Sequence, residues 1–286
     1  MPSMAQMFSS DINLGSVRDF NGDSPYVRQA QIGNPKLKPA TSNNLNIGLI
    51  FENQKQRLSI DYWNINYKNR IEAQSAQVIL NTNPNGSSIT RNSNGDLIGV
   101  TTTYFNEEST EVSGVDLNFN RLILTSDKYG NVLLTINSTT LIEFLTPALS
   151  NEGGEFMIDR VGKFNYDTNT HSLPKNRINA FLNWKYQDYD INFNSRYIHG
   201  YSNQRSINSL GILYGYNNSV DSFFVHDLSL KRQLFTNKGE IDIKLSIINL
   251  FDESAPRLYD APDFSFDTRV HDPRGRIVGI NFEYRH

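Results

Sequence analysis

The connections in this chain alternate in length, and that alternation restricts the fold more than any single segment does. Period-2 runs of apolar and polar residues, bounded by turn residues, predict nine strands, at about 41–52, 57–67, 110–122, 131–144, 176–187, 189–199, 222–234, 240–250 and 275–286. Short links fall at 53–56, 123–130, 188 and 232–239, and long ones at 68–109, 145–175, 200–221 and 251–274. Loops beyond about 12–15 residues are uncommon in compact domains, and a soluble sandwich has no reason to gather its long loops at one end. A transmembrane β-barrel has one, because its periplasmic turns are short and its extracellular loops long. The expected fold is all-β, an antiparallel transmembrane β-barrel segment of one domain spanning 1–286. Threading the strands makes 1–40 an extracellular loop region and 41–286 the strands, with His286 in the periplasm.

The two faces of the strands agree with this reading. Leu45, Ile47, Leu49 and Phe51 alternate with Asn44, Asn46 and Gly48, and Ile241, Ile243, Leu245 and Ile247 with Asp242, Lys244 and Ser246. The apolar face would meet lipid in a barrel and a second sheet in a sandwich, and periodicity does not separate the two. Trp184 and Tyr186 close one strand on its apolar face, beside a short turn, and Tyr189 opens the next on the same side. That is where an interfacial aromatic girdle sits, although ordinary strand aromatics would look the same. Trp63 falls on the polar face and takes no girdle role.

Composition removes several classes. Aromatic residues make up 12% of the 286, too many for a disordered chain. The absence of cysteine excludes a disulfide scaffold, a thiolate metal site and a cysteine nucleophile. A net charge of −3 lacks the basic excess of a nucleic-acid binder. No run approaches the roughly 18 apolar residues of a transmembrane helix, whereas a barrel strand needs only about 9–11 alternating ones. Residues Met1 to Phe8 have no basic region or apolar core, so they do not read as a secretory signal.

Seven motifs, in order along the chain, resemble one family. Asn34-Pro35-Lys36-Leu37-Lys38-Pro39-Ala40-Thr41-Ser42 is similar to the N-P-x-L-K-P-E-x-S segment of TonB-dependent outer-membrane receptors, with Ala40 where that family usually has Glu. Pro2 to Phe8 resembles the stretch that precedes it. Asp61-Tyr62-Trp63-Asn64-Ile65 and Val112-Ser113-Gly114-Val115-Asp116-Leu117 look like two of its strands. Leu173-Pro174-Lys175-Asn176-Arg177 leading to Trp184, Asn249-Leu250-Phe251-Asp252, and Asp272-Pro273-Arg274-Gly275-Arg276 resemble three further segments. Gly279, Phe282 and Tyr284 have the spacing of a barrel-assembly signal, though the chain ends Arg285-His286 rather than on an aromatic.

The resemblance implies about nine strands from the C-terminal part of a larger, plugged 22-stranded barrel, a fragment lacking signal peptide and plug. It implies a place in the cell outer membrane of a Gram-negative bacterium and uptake of a scarce nutrient (ferric siderophore, cobalamin or glycan). The implied partners are outer-membrane lipid, a small-molecule nutrient met by the extracellular loops, a periplasmic energising TonB protein reached through the missing N-terminal part, and the barrel-assembly machinery at the last strand. No nucleic acid, cofactor or enzymatic activity is implied. A small porin-like or adhesin barrel, or a soluble β-sandwich binding module, remains the alternative.

No chemical motif rises above its bland reading. His171, His199, His226, His271 and His286 lack ligand spacing. Asp19-Phe20-Asn21-Gly22-Asp23-Ser24 starts like a calcium loop but lacks Gly at its sixth position and has Ala30 at its twelfth. Asn85-Gly86-Ser87 is turn chemistry, and Glu107 and Glu108, as strand neighbours, point to opposite faces. Ligand specificity is expected from loops. The first candidate is 68–109, with Tyr67, Asn69, Arg70, Tyr104 and Phe105 near its ends. The second is 200–221, from Gly200-Tyr201-Ser202-Asn203-Gln204-Arg205 to Tyr214-Gly215-Tyr216-Asn217-Asn218. No individual catalytic, metal, cofactor or ligand-binding residue is assigned.

Overall fold

The computed structural model describes residues 1–149, 155–165, 171–259 and 264–285. Helix α1 (Met4–Phe8) leads into a hairpin of β1 (Ser10–Ser16) and β2 (Tyr26–Ile32). Strands β3 (Thr41–Glu52) and β4 (Gln56–Ala73) follow, then α2 (Ala76–Thr82), β5 (Ile89–Arg91), β6 (Leu97–Ser126), β7 (Gly130–Leu149) and β8 (Glu155–Asp159). Next come β9 (Asn176–Tyr186), β10 (Tyr189–Ile198), β11 (Tyr201–Ser202), α3 (Ser209–Leu213) and β12 (Ser219–Val220). The chain closes with β13 (Phe223–Thr236), β14 (Gly239–Ile248) and β15 (Ile277–Arg285).

All nine expected strands are present and pair antiparallel in the order β3-β4-β6-β7-β9-β10-β13-β14-β15. β3 and β15 have one neighbour each, so the sheet is an open wall. Three expectations need correction. The link expected at 68–109 shrinks to 74–96, because Lys68 to Ala73 stay paired with Tyr104 to Ser109 after the apolar alternation has faded. Residues 1–40, expected as loop, hold α1 and a hairpin whose β2 runs parallel to β6, the one parallel pairing between named strands. The long link at 145–175 loses its first five residues to β7, which continues to Leu149, and holds β8, which pairs with it; 150–154 and 166–170 lie outside the described residues, as does His286.

Register carries each face across the wall. Leu134, Leu182, Phe193, Leu228, Ile247 and Val278 lie opposite one another on six successive strands. On the other face Ser59, Asn118, Asn137, Asn179 and Arg196 form a polar row. There Asn118 donates to Asn137, and the Thr139 hydroxyl to Asp116 at 2.7 Å. Such ladders occupy part of the chain's 35 asparagines, whose amides donate and accept between strands, and others lie in the turns and links. The apolar face is uncovered: Leu49 is 74% exposed and Phe282 70%. No second sheet packs on it among the described residues, which removes the basis of a sandwich reading. The clusters of buried apolar side chains sit instead at the long-link end. One comprises Val17, Val27, Ala76, Leu80, Leu97 and Val100, the other Phe164, Tyr201, Val220 and Leu258.

At the short-turn end Trp184, Tyr186 and Tyr189 lie on the apolar face, with Tyr186 opposite Tyr189. Trp184 donates its indole N–H to the Tyr129 carbonyl at 2.8 Å. Trp63 lies on the polar face opposite Gly114. A Cβ at Gly114 would overlap the Trp63 indole and approach the Thr140 carbonyl oxygen at 2.9 Å, so the ring covers backbone that only glycine leaves open. Gly114→Ala should lower stability by about 1–3 kcal/mol through overpacking, read as a lower urea midpoint of the chain refolded in detergent. In a Trp63→Leu background the same change should cost less; an equal cost would show that the indole is not the cause.

Candidate functional site

The long links converge at one end of the wall, where the strands stop and function-bearing loops begin. Their attachment is built from the motifs. Asn34 donates to the Tyr104 carbonyl at 2.8 Å, while Asn106 accepts from the Lys38 amide at 2.7 Å and donates to the Lys38 and Asn69 carbonyls. Asn249 takes a left-handed φ of 54°, receives the Glu253 amide at 2.9 Å and returns its own side-chain N–H to the Glu253 carbonyl. Asp252 accepts the Arg276 amide at 2.7 Å, and a Cβ on Gly275 would strike that carboxylate. Arg274 holds Asp272 down at about 2 by hydrogen bonding to it.

Of the first candidate group, Arg70 is consumed by structure. It pairs with Glu72 at 2.5 Å and Glu107 at 2.6 Å, and donates to the buried Thr110 hydroxyl. Asn69 turns the strand with φ 54°, and Phe105 is exposed. The calcium-like stretch is occupied too: the Asp19 carboxylate receives both Arg91 guanidinium nitrogens, at 2.7 and 2.8 Å, and these bonds hold it below its ordinary value. Among the described residues no three His, Asp or Glu side chains gather as metal ligands.

The second group divides between a buried core and an exposed tip. Tyr201 is buried, and its hydroxyl donates to Asp267 at 2.8 Å and meets His271 Nε2 at 3.3 Å. The Ser172 hydroxyl donates to the same carboxylate oxygen. Nearby, Asn165, fully buried with φ 55°, donates to the carbonyls of Arg160, Lys163 and His171. Asn203 is buried and donates to the Tyr259 carbonyl. Ser172 faces the carboxylate rather than the imidazole, so the cluster lacks the relay of a hydrolase. It ties together three links that sequence spacing had left apart.

The tip is α3. Arg257 lies over the Tyr216 ring at 4.2 Å and donates to the Tyr214 carbonyl, which fixes the base of the helix. Leu210, Ile212, Leu213 and Tyr214 remain exposed. Of these only Tyr214 belongs to the expected tip; the three aliphatic residues leave no signal in the sequence beyond a short apolar run between Asn208 and Asn217.

Burial pushes the His271 imidazole down to about 4; Asp267 opposes this, and Arg177 adds to it. Burial and the same carboxylate push the Tyr201 phenol up. A closed loop cluster therefore holds His271 neutral, whereas an opened one takes up a proton below its ordinary 6.5. The stability that neutral His271 lends is complete above about 6.5 and is lost as pH falls toward 4. Hydrogen exchange at Tyr201, Val220 and Leu258, corrected for intrinsic rates, should accelerate over that interval. His271→Phe should flatten the response, and an unchanged pH profile in that variant would assign it to another group.

A family description of the TonB-dependent receptor-like β-barrel matches residues 1–250. No curated protein sequence matches the chain. Among solved structures it is similar to the siderophore receptor PirA of Acinetobacter baumannii, with a TM-score of 0.60 and 18% identity over 99% of this chain and 37% of that one. It also matches the ferric enterobactin receptor PfeA of Pseudomonas aeruginosa, as the G324V mutant, with a TM-score of 0.57 and 16% identity over 89% of this chain and 32% of the receptor. The FrpB iron transporter of Neisseria meningitidis gives a TM-score of 0.53 and 13% identity over 89% and 31%. The chain thus spans about a third of the length of these proteins.

Proposed function

The chain belongs to the TonB-dependent receptor β-barrel family, and from that premise we propose that it forms part of the wall of an outer-membrane receptor that takes up a scarce nutrient complex. The observation that carries this reading is the family match over 1–250, on a wall whose uncovered apolar face and one-ended loops suit a bilayer. The family is of transporter and receptor type, not an enzyme class. The cargo we favour is a ferric siderophore over cobalamin or a glycan, because the structural neighbours include two siderophore receptors and an iron transporter. The long-link end is then extracellular, and α3 offers its exposed Leu210, Ile212, Leu213 and Tyr214 there. The apolar face meets lipid, β15 is read by the assembly machinery, and energy comes from a TonB protein through a part of the receptor outside this chain.

The full chain, refolded, should stay dispersed only with detergent and retain radiolabelled iron when presented with a ferric catecholate or hydroxamate. Cobalamin and a maltooligosaccharide should not compete. A monodisperse protein without detergent would overturn the membrane reading, and competition by either alternative cargo would overturn the choice of iron.

A further inference from the structure

In the C-terminal part of the wall the strand charges divide between the two faces. β9, β10, β13, β14 and β15 carry Asp190, Asp227, Glu240, Asp242 and Glu283, and by register all five lie on the polar face. The lysines and arginines of these strands lie there too, with one exception. Arg232 stands in the apolar row between Leu230 and Leu234, opposite Tyr189 on one neighbouring strand and Ile243 on the other. It is exposed, and its guanidinium lies over the Tyr189 ring at 5.1 Å. Among the described residues neither that guanidinium nor the Tyr189 hydroxyl has a hydrogen-bond or ion-pair partner.

The position of this arginine along its strand is as specific as its face. β13 ends at Thr236, four residues on, so Arg232 sits at the short-turn end. Tyr189 opens β10 there, Tyr186 pairs with it, and Trp184 follows on the same face. Such aromatics mark the level of lipid headgroups. A guanidinium turned toward hydrocarbon is costly, and it is tolerated where it reaches water or an anion. No carboxylate of these five strands is available on that side. Its planar fork of donors matches phosphate oxygens, which it can engage in pairs. A headgroup phosphate is the anion that a bilayer sets at this level, and the row Leu230, Leu228 and Phe193 offers its acyl chains a path.

We propose that Arg232 and Tyr189 form a site for the phosphodiester of an anionic glycerophospholipid in the periplasmic leaflet. The guanidinium, steadied by the ring, donates two N–H groups to the phosphate oxygens, and the Tyr189 hydroxyl donates a third bond. The site lies at the opposite end of the strands from the long links and α3, and so is separate from cargo binding. It rests on the membrane reading above, which makes the short-turn end periplasmic.

The test uses the full chain in detergent micelles with equal amounts of phosphatidylglycerol and a diacylglycerol of the same acyl chains, and native mass spectrometry to count retained lipid. Phosphatidylglycerol should be retained about fivefold over the diacylglycerol, the order of one basic residue beside an anionic lipid. Arg232→Gln should remove this preference and Tyr189→Leu should lower it. Lys244→Gln takes the same charge from the polar face, beside Ile243, and should leave the preference unchanged. Millimolar inorganic phosphate should not displace the lipid, because the acyl chains supply the anchorage. Equal retention of the two lipids, an unchanged preference in Arg232→Gln or Tyr189→Leu, or an equal loss in Lys244→Gln would overturn the proposal while leaving the membrane reading intact. Displacement by phosphate would overturn a lipid as the source of the anion. A chain that stays monodisperse without detergent would overturn both readings.

Discussion

In the core of a bilayer no water is at hand to satisfy a backbone N–H or C=O, so a strand there must be paired along its whole length on both edges. The rest of this molecule follows from that demand. Nine strands share one continuous ladder, and because side chains alternate with a period of 2, a fixed register is also a fixed division of faces. A single slip anywhere would send Phe193 or Leu228 to the polar side and Asn192 or Ser229 to the apolar one. The ladder absorbs two irregularities against β7, near Ser113–Gly114 and Leu122–Leu124, without losing the faces between them. β3 and β15 each keep one edge unpaired. Counting along the wall, both run from the loop end to the turn end, so antiparallel closure takes an odd number of strands between them.

The same pairing explains where the cores are. A wall whose apolar face is uncovered has no interior between layers, and its polar face is held by side-chain amides and ion pairs such as Lys231–Asp242 and Arg285–Asp242. Buried apolar clusters can form only where the chain leaves the ladder, and both do. The N-terminal hairpin, α2 and β5 enclose one; the loops around Phe164, Tyr201, Val220 and Leu258 enclose the other. Beneath the second lies the Ser172–Asp267–Tyr201–His271 network, whose partners are up to 95 residues apart in sequence.

This division also marks what was legible in the sequence. The strand expected at 41–52 is read to both ends and the one at 176–187 to within one residue, because alternation is enforced wherever one face is greasy and the other polar. Strand tips beyond the apolar band, such as Arg70 to Ala73, obey the ladder but no longer alternate, so they passed as loop. The β1–β2 hairpin was missed for a related reason: Ile12 and Leu14 are exposed, Val27 is buried, and no regular alternation announces the pair. Candidate ligand residues fared worst. Arg70 and Tyr201 have the right chemistry for a ligand, yet one is neutralised by Glu72 and Glu107 and the other buried against Asp267, and only long-range packing decides that.

The motifs that announced the family turn out to lie mostly at changes of direction. Within the wall, any apolar residue facing out and any polar one facing in preserves the fold, so a strand leaves a loose pattern rather than a fixed string. Where the chain must turn, one backbone geometry and one set of donors serve. Asn249 is left-handed and doubly bonded to Glu253, Asp252 caps the Arg276 amide across 24 residues, and Gly275 leaves room for that carboxylate. Asn34 and Asn106 do the same for the segment that enters β3. The exception inside the wall is Trp63 over Gly114, where a large ring and a missing side chain specify each other. A string of residues is therefore diagnostic here in proportion to how few geometries its backbone can take.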